Sequence, residues 1–133
     1  MIKEAYVSFE VAKLLKENGF DSRCHATYDT AVTGGKPRFS EYEVLSYFPN
    51  GMKNTDDKYN MVISAPTHQM AMRWLREVHD IDIIIFHEKL PNDCYWARIE
   101  CHPFTEFQQE PEYKTYEEAV EAALKYCLEK IIT

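Results

Sequence analysis

The side chains best equipped for chemistry are four cysteines, at 24, 94, 101 and 127, and five histidines. Two Cys-His dipeptides, Cys24-His25 and Cys101-His102, stand beside His87 and Cys94, which flank a predicted hairpin turn. A structural zinc ion takes four such ligands in a tetrahedron, and its ligands usually come at recognisable spacings that this chain lacks. If Glu88 pairs with Asp93 across the turn, His87 lies opposite Cys94, close enough to share an ion. Successive strand residues point to opposite faces, so Cys101 and His102 cannot both join them easily. His87, Cys94, Cys101 and His102 are therefore weak metal candidates, and neither a metal site nor a cofactor is expected.

A nucleophilic cysteine needs a lowered pKa and a base within reach. Cys24 and Cys101 have a histidine next to them in sequence, but catalytic pairs normally meet through the fold. Cys127 falls on the apolar stripe of a predicted helix and reads as packing. His68 and His79 are too far apart on one helix to share a ligand, and His79 suits the negative end of the helix dipole. Arg73 and Arg76 flank Trp74, a pattern that could serve phosphate or bases but reads better as a solvated face beside a core tryptophan. Glu10 with Glu17, and Asp80 with Asp82, come with no companion base. Gly34-Gly35-Lys36-Pro37 lacks the following helix of a phosphate cradle, and no nucleotide or serine-hydrolase motif occurs. No catalytic residue is assigned, and the balance is against an enzyme.

The elements that must position these residues are marked by caps and periodicity. Ser8 is a predicted N-cap for a helix with Val11, Leu14 and Leu15 inward, stopping at Asn18, with Gly19 and Phe20 completing a Schellman-type cap. Arg23 to Tyr28 and Tyr42 to Phe48 read as a hairpin around a long loop containing Thr33 to Pro37. Lys53 to Lys58 is the most polar stretch and is expected to be a mobile loop. A second helix opens near Ser64-Ala65-Pro66 with Ala71, Trp74, Leu75 and Val78 inward. Ile81 to Glu88 and Asp93 to Cys101 form the strongest hairpin, in which Phe86 is expected to face Tyr95 and Ile84 to face Ala97. Ile83, Ile85 and Trp96 then share the other face, so both faces are partly apolar and each should be covered. Thr115-Tyr116-Glu117-Glu118 is a capping box, and the helix behind it keeps an apolar stripe through Ile131.

The resulting order is helix, hairpin, helix, hairpin, helix: one α+β domain over 1–133 with a mostly antiparallel sheet on which the helices pack. A remote internal duplication would fit that order, although no shared residue pattern proves it.

Tyr6 to Lys16 with Gly19-Phe20-Asp21, Ala65 to Ala71 with Arg73 to Glu77, and Thr115 to Ala119 resemble a group of small uncharacterised bacterial proteins that look prophage-encoded. The resemblance covers nearly the whole chain. It implies an intracellular bacterial or phage protein and carries no activity or catalytic residue with it.

Composition narrows the function classes. The 133 residues are 45% apolar and 14% aromatic, which predicts a packed core rather than disorder. Twenty-two acidic against fifteen basic residues give a net charge of −7, which disfavours non-specific nucleic-acid or anionic-lipid binding. No signal peptide or membrane span is evident, and cysteines without a tight framework read as reduced thiols, so a cytoplasmic location is expected. Phe39, Tyr42, Tyr47, Phe48 and Tyr59 exceed what one small hairpin buries. The expected function is a non-catalytic interaction protein with a protein partner or a second copy of itself, using a surface around Ile83, Ile85 and Trp96. The alternatives are a small cysteine- or histidine-dependent enzyme or zinc protein, and an acidic mimic of DNA.

Overall fold

The computed structural model describes residues 3–30, 36–41, 51–57, 61–103 and 105–132. It is α+β, with three α-helices and two small antiparallel sheets of three strands each. Two separate sheets replace the predicted helix-hairpin-helix-hairpin-helix arrangement: the second expected hairpin acquires a third strand at Thr105–Gln108, and the first sheet pairs Ala26–Asp29 with Arg38–Glu41 and Val62–Ser64. The chain divides into two compact units, Tyr6–Thr67 and Met1–Ala5 with His68–Thr133.

In the unit Tyr6–Thr67, α1 spans Phe9–Glu17. The Ser8 hydroxyl accepts the Val11 N–H at 3.2 Å, so one of the orphan donors of the first turn is satisfied. At the other end Gly19 takes φ +89, Phe20 N–H donates to Leu15 O at 2.9 Å and Gly19 N–H to Lys16 O at 3.2 Å. These two bonds are the Schellman pair, and Phe20 folds back to full burial. Start and stop of this helix were both legible in its residues.

Strand β1 (Ala26–Asp29) lies between β2 (Arg38–Glu41) and β3 (Val62–Ser64). β2 falls in what the sequence assigned to loop, pairing Asp29 with Arg38 and Ala26 with Glu41. The expected strand Tyr42 to Phe48 lies outside the described residues. Lys53 to Asp57, expected to be mobile, forms a single 3₁₀ turn at Asn54–Asp56 and is bonded on every side. The buried Asn54 amide donates to Phe20 O at 2.8 Å and accepts the Ser64 N–H at 2.9 Å. Asp21 receives the N–H and hydroxyl of Thr55, and Asp57 receives the N–H of Val62 and the ammonium of Lys16. Polarity here satisfies backbone groups that would otherwise be buried without partners.

In the second unit, α2 (His68–His79) and α3 (Tyr116–Tyr126, continued by a π-helical turn at Cys127–Ile131) pack on the sheet β4 (Ile81–Glu88), β5 (Cys94–Cys101) and β6 (Thr105–Gln108). The inward face of α2 is His68, Ala71, Met72 and Leu75. Trp74 is half-buried and Val78 is 60% exposed, so the predicted stripe is rotated toward His68 and Met72. The α3 stripe holds in its middle, where Ala119, Val120, Ala123, Leu124, Cys127 and Leu128 are all buried, but at its ends Tyr116 is exposed and Ile131 only half-buried. Half of the expected capping box forms: Glu118 N–H donates to the Thr115 hydroxyl, while the Glu118 carboxylate accepts the N–H of Lys114 instead of that of Thr115.

The β4–β5 hairpin exists, with β4 at its predicted limits but β5 starting at Cys94 rather than Asp93, and its register is one residue longer: Glu88 pairs with Cys94, Phe86 with Trp96 and Ile85 with Ala97. The cause lies in Asp93, which adopts φ +35 and donates its N–H to Lys89 O, closing the turn instead of starting the strand. Asp tolerates that left-handed conformation better than most residues. A one-residue slip exchanges faces, so every β5 residue lies on the opposite side from the one predicted. In the first sheet the central strand is the first in sequence, in the second sheet it is the middle one. Among the described residues the two sheets therefore do not repeat one topology, which counts against the simplest form of an internal duplication.

Candidate functional site

The second sheet carries the candidate residues, and its two faces differ. Ile81, Ile83, Ile85 and His87 of β4 pair with Cys101, Ile99, Ala97 and Tyr95 of β5. This is the face that the helices cover: Ile81, Ala97 and Ile99 are buried, and Tyr95 meets Tyr116 of α3 edge-on. Asp82, Ile84, Phe86 and Glu88, paired with Glu100, Arg98, Trp96 and Cys94, form the other face. There Phe86 and Trp96 stack at 4.4 Å with 16° between rings, and the Arg98 guanidinium sits 5.2 Å from the Phe86 centroid. Ile83 and Ile85 thus lie on the helix-covered face and Trp96 on the opposite one. The structure does not bring the three together; it groups Trp96 with Phe86, Ile84 and Arg98.

The four metal candidates are likewise separated. His87 stacks on Tyr95 at 4.1 Å and bonds Asp93 at 2.7 Å, rather than facing Cys94. Cys94 is buried opposite Glu88. Cys101 lies on the helix face opposite Ile81. His102, just past β5, turns its Nε2 to Asp82 Oδ2 at 2.7 Å. Asp82 and Glu100 are cross-strand partners, so His102, Asp82 and Glu100 gather with ligand atoms all within 4.8 Å of one another.

Two carboxylates and an imidazole are a donor set that a divalent ion accepts, although the 2.7 Å between His102 and Asp82 is the spacing of a hydrogen bond, which an ion would have to replace. The same groups also lie in ion-pair contacts. Asp82 holds His102, and Arg98 lies 3.0 Å from Glu100 and 3.9 Å from Glu106. The His102 pKa is raised first by its hydrogen bond to Asp82, against a lowering by desolvation, and then by the charges of Asp80, Asp82 and Glu100. A cleft of about 290 Å³ opens beside them, lined by Glu100, Cys101, His102 and Glu106. Neither Asp82 nor Glu100 was singled out as a ligand from sequence. The signal lay in the register, since with the correct pairing Asp82 must oppose Glu100 and lie near position 102.

Three of the four thiols are held toward the protonated form. Burial pushes Cys24 up to about 12, partly offset by a hydrogen bond with Ser64. Cys127 is pushed up to about 12 by burial and by the neighbouring Cys101. Burial also raises Cys101. All four cysteines are free of disulfides, and a thiol held protonated, as Cys24, Cys101 and Cys127 are, is a poor nucleophile.

Sequence reasoning also missed the role of His68. It is buried at the start of α2, and its Nε2 meets Glu121 of α3 at 3.0 Å, tying the two helices together. Arg73 forms an i,i+4 pair with Glu77 at 2.9 Å on an exposed face, as the solvated reading of that segment expects. A second cleft of about 220 Å³ lies between β6 and α3, lined by Ile99, Phe107, Tyr113 and Tyr126 among others. Among the described residues no helix is long and apolar enough to cross a membrane. No protein-family model matches the chain, and no curated protein or solved structure is found to be significantly similar to it.

Proposed function

We propose that this is a non-catalytic interaction protein whose partner adds a strand to the second sheet at β4. The observation that carries it is the character of that edge. β4 is eight residues long, lies at the margin of its sheet, and among the described residues has a neighbouring strand on one side only. Exposed edges are ordinarily blunted by lysine, proline, a bulge or shortness. The central Ile83-Ile84-Ile85-Phe86 has none of these and is half-buried on both faces. Strand addition satisfies the outward N–H and C=O groups with main-chain bonds, while alternate side chains supply contacts above and below.

Trp96 belongs to this surface through its stack on Phe86, and Ile83 and Ile85 through the edge itself. The prophage-type origin implied by segmental resemblance is part of the same proposal.

Affinity capture with the tagged chain and with Ile85→Pro as paired baits tests strand addition. A stoichiometric protein, whether foreign or the untagged chain itself, should be retained by the wild type and lost from the proline variant. Identical captured sets would count against strand addition at β4.

A further inference from the structure

We infer that the strand added at β4 is the β4 strand of a second copy, antiparallel to the first and centred with Ile84 opposite Ile84. The inference rests on strand addition at this edge and names its partner.

Which backbone groups point outward follows from the register. In an antiparallel pair, residues that exchange bonds alternate with residues that do not. His102 N–H donates to Asp80 O at 3.1 Å, and positions 80 and 102 continue the β4–β5 register. Even-numbered residues of β4 therefore bond to β5, and Ile81, Ile83, Ile85 and His87 direct N–H and C=O to the outer edge.

Two copies related by a two-fold axis make an isologous contact in which the same patch serves both. An axis perpendicular to the sheet keeps the helices of both copies on one side and joins the two faces that carry Ile84, Phe86 and Trp96. Such an axis pairs even with even and odd with odd residues, leaving two well-centred choices. With Ile85 opposite itself, Asp82 opposes Glu88 on both sides of the axis, and like charges directly opposite are destabilising. With Ile84 opposite itself, Ile83 meets Ile85, Asp82 meets Phe86 and Ile81 meets His87, so no two carboxylates within β4 confront each other; Asp80, the position in line with Glu88, precedes the strand and turns away from extended backbone at φ +58. The four outward residues of each strand then meet those of the other, giving about eight main-chain bonds. The pairing also places apolar side chains opposite one another on both faces at the centre.

The test uses the full chain. Light scattering on a size-exclusion column should give twice the 15.7 kDa chain mass. Ile85→Pro should give a folded monomer, because its N–H points outward and proline removes no bond to β5. Circular dichroism and thermal melting check that fold. Ile84→Cys, whose two copies would sit opposite each other at a closely spaced non-bonded pair, should form an intermolecular disulfide under mild oxidation, and Ile85→Cys should not.

A monomeric wild type overturns the inference. If that monomer still captures another protein in a manner lost in Ile85→Pro, strand addition stands and only its partner is different; if capture is unaffected, both fall. A dimer that survives Ile85→Pro, or one cross-linked by Ile85→Cys rather than Ile84→Cys, overturns the edge or the register respectively.

Discussion

Gly51 shows how one residue can fix a local path. Its φ is +81, and a Cβ built there would come 2.8 Å from Cys24 O, a backbone atom that cannot swing aside. Cys24 and Met52 hold that approach with two bonds, Met52 N–H to Cys24 O at 2.8 Å and Cys24 N–H to Met52 O at 3.0 Å. Gly51→Ala combines a strained backbone with a steric clash and is expected to cost about 1–3 kcal/mol, read as a lower urea midpoint with an unchanged slope. Gly19→Ala meets no atom within 4 Å, so its penalty comes from the positive φ alone and should be the smaller of the two. At the other candidate site, His102 owes its raised pKa first to Asp82. A group whose folded pKa exceeds its unfolded value contributes stability below the unfolded value, and that contribution is lost as pH rises through the folded one. An imidazole proton titration by NMR should place His102 above the ordinary histidine range, and Asp82→Asn should move it back down. A His102 that titrates normally in the wild type would mean that the contact with Asp82 does not persist in solution.

Among the elements, those closed by local chemistry were readable from residues, and those closed by distant partners were not. Helix α1 announced itself through Ser8, Gly19 and Phe20, and α3 through Thr115 and its stripe, because caps and periodicity act within a few positions. The β4–β5 strands were readable as well, yet their register was not. A single residue decided it, since Asp93 could either open β5 or close the turn, and both fit the local pattern. That one step moved Trp96 to the other face and joined Asp82 to Glu100 and His102, so the candidate site was hidden although its residues were in plain view. The polar run at 53–57 misled for a different reason. Asparagine and aspartate signal loops by composition, whereas here Asn54 is buried and bridges Phe20 to Ser64, which are far apart in sequence. Asn54→Ala would leave the Phe20 carbonyl and the Ser64 N–H unsatisfied in a buried place, at an expected cost of about 1–3 kcal/mol. Equilibrium denaturation checks this, and a change near zero would mean that water replaces the amide and that the turn is not a structural hub.

At the scale of the whole molecule, the proposed pairing must overcome charge. Each copy carries −7, so bringing two together works against a long-range repulsion that no contact at β4 relieves. The contacts themselves are apolar side chains and main-chain bonds, and the favoured register keeps Asp82 and Glu88 away from each other. Salt therefore has little to weaken at the interface and much to screen outside it, the screening length falling from about 30 Å at 0.01 M to about 3 Å at 1 M. Sedimentation across that range is expected to show tighter self-association as sodium chloride rises, with most of the change at the low end. The opposite trend, dissociation with salt, would point to ion pairs between copies, for instance the Arg98 of one chain with the Glu100 or Glu106 of the other. Such an interface would be built on the sheet face and not on its edge. The sign of the salt response therefore separates an edge-to-edge dimer from a face-to-face one.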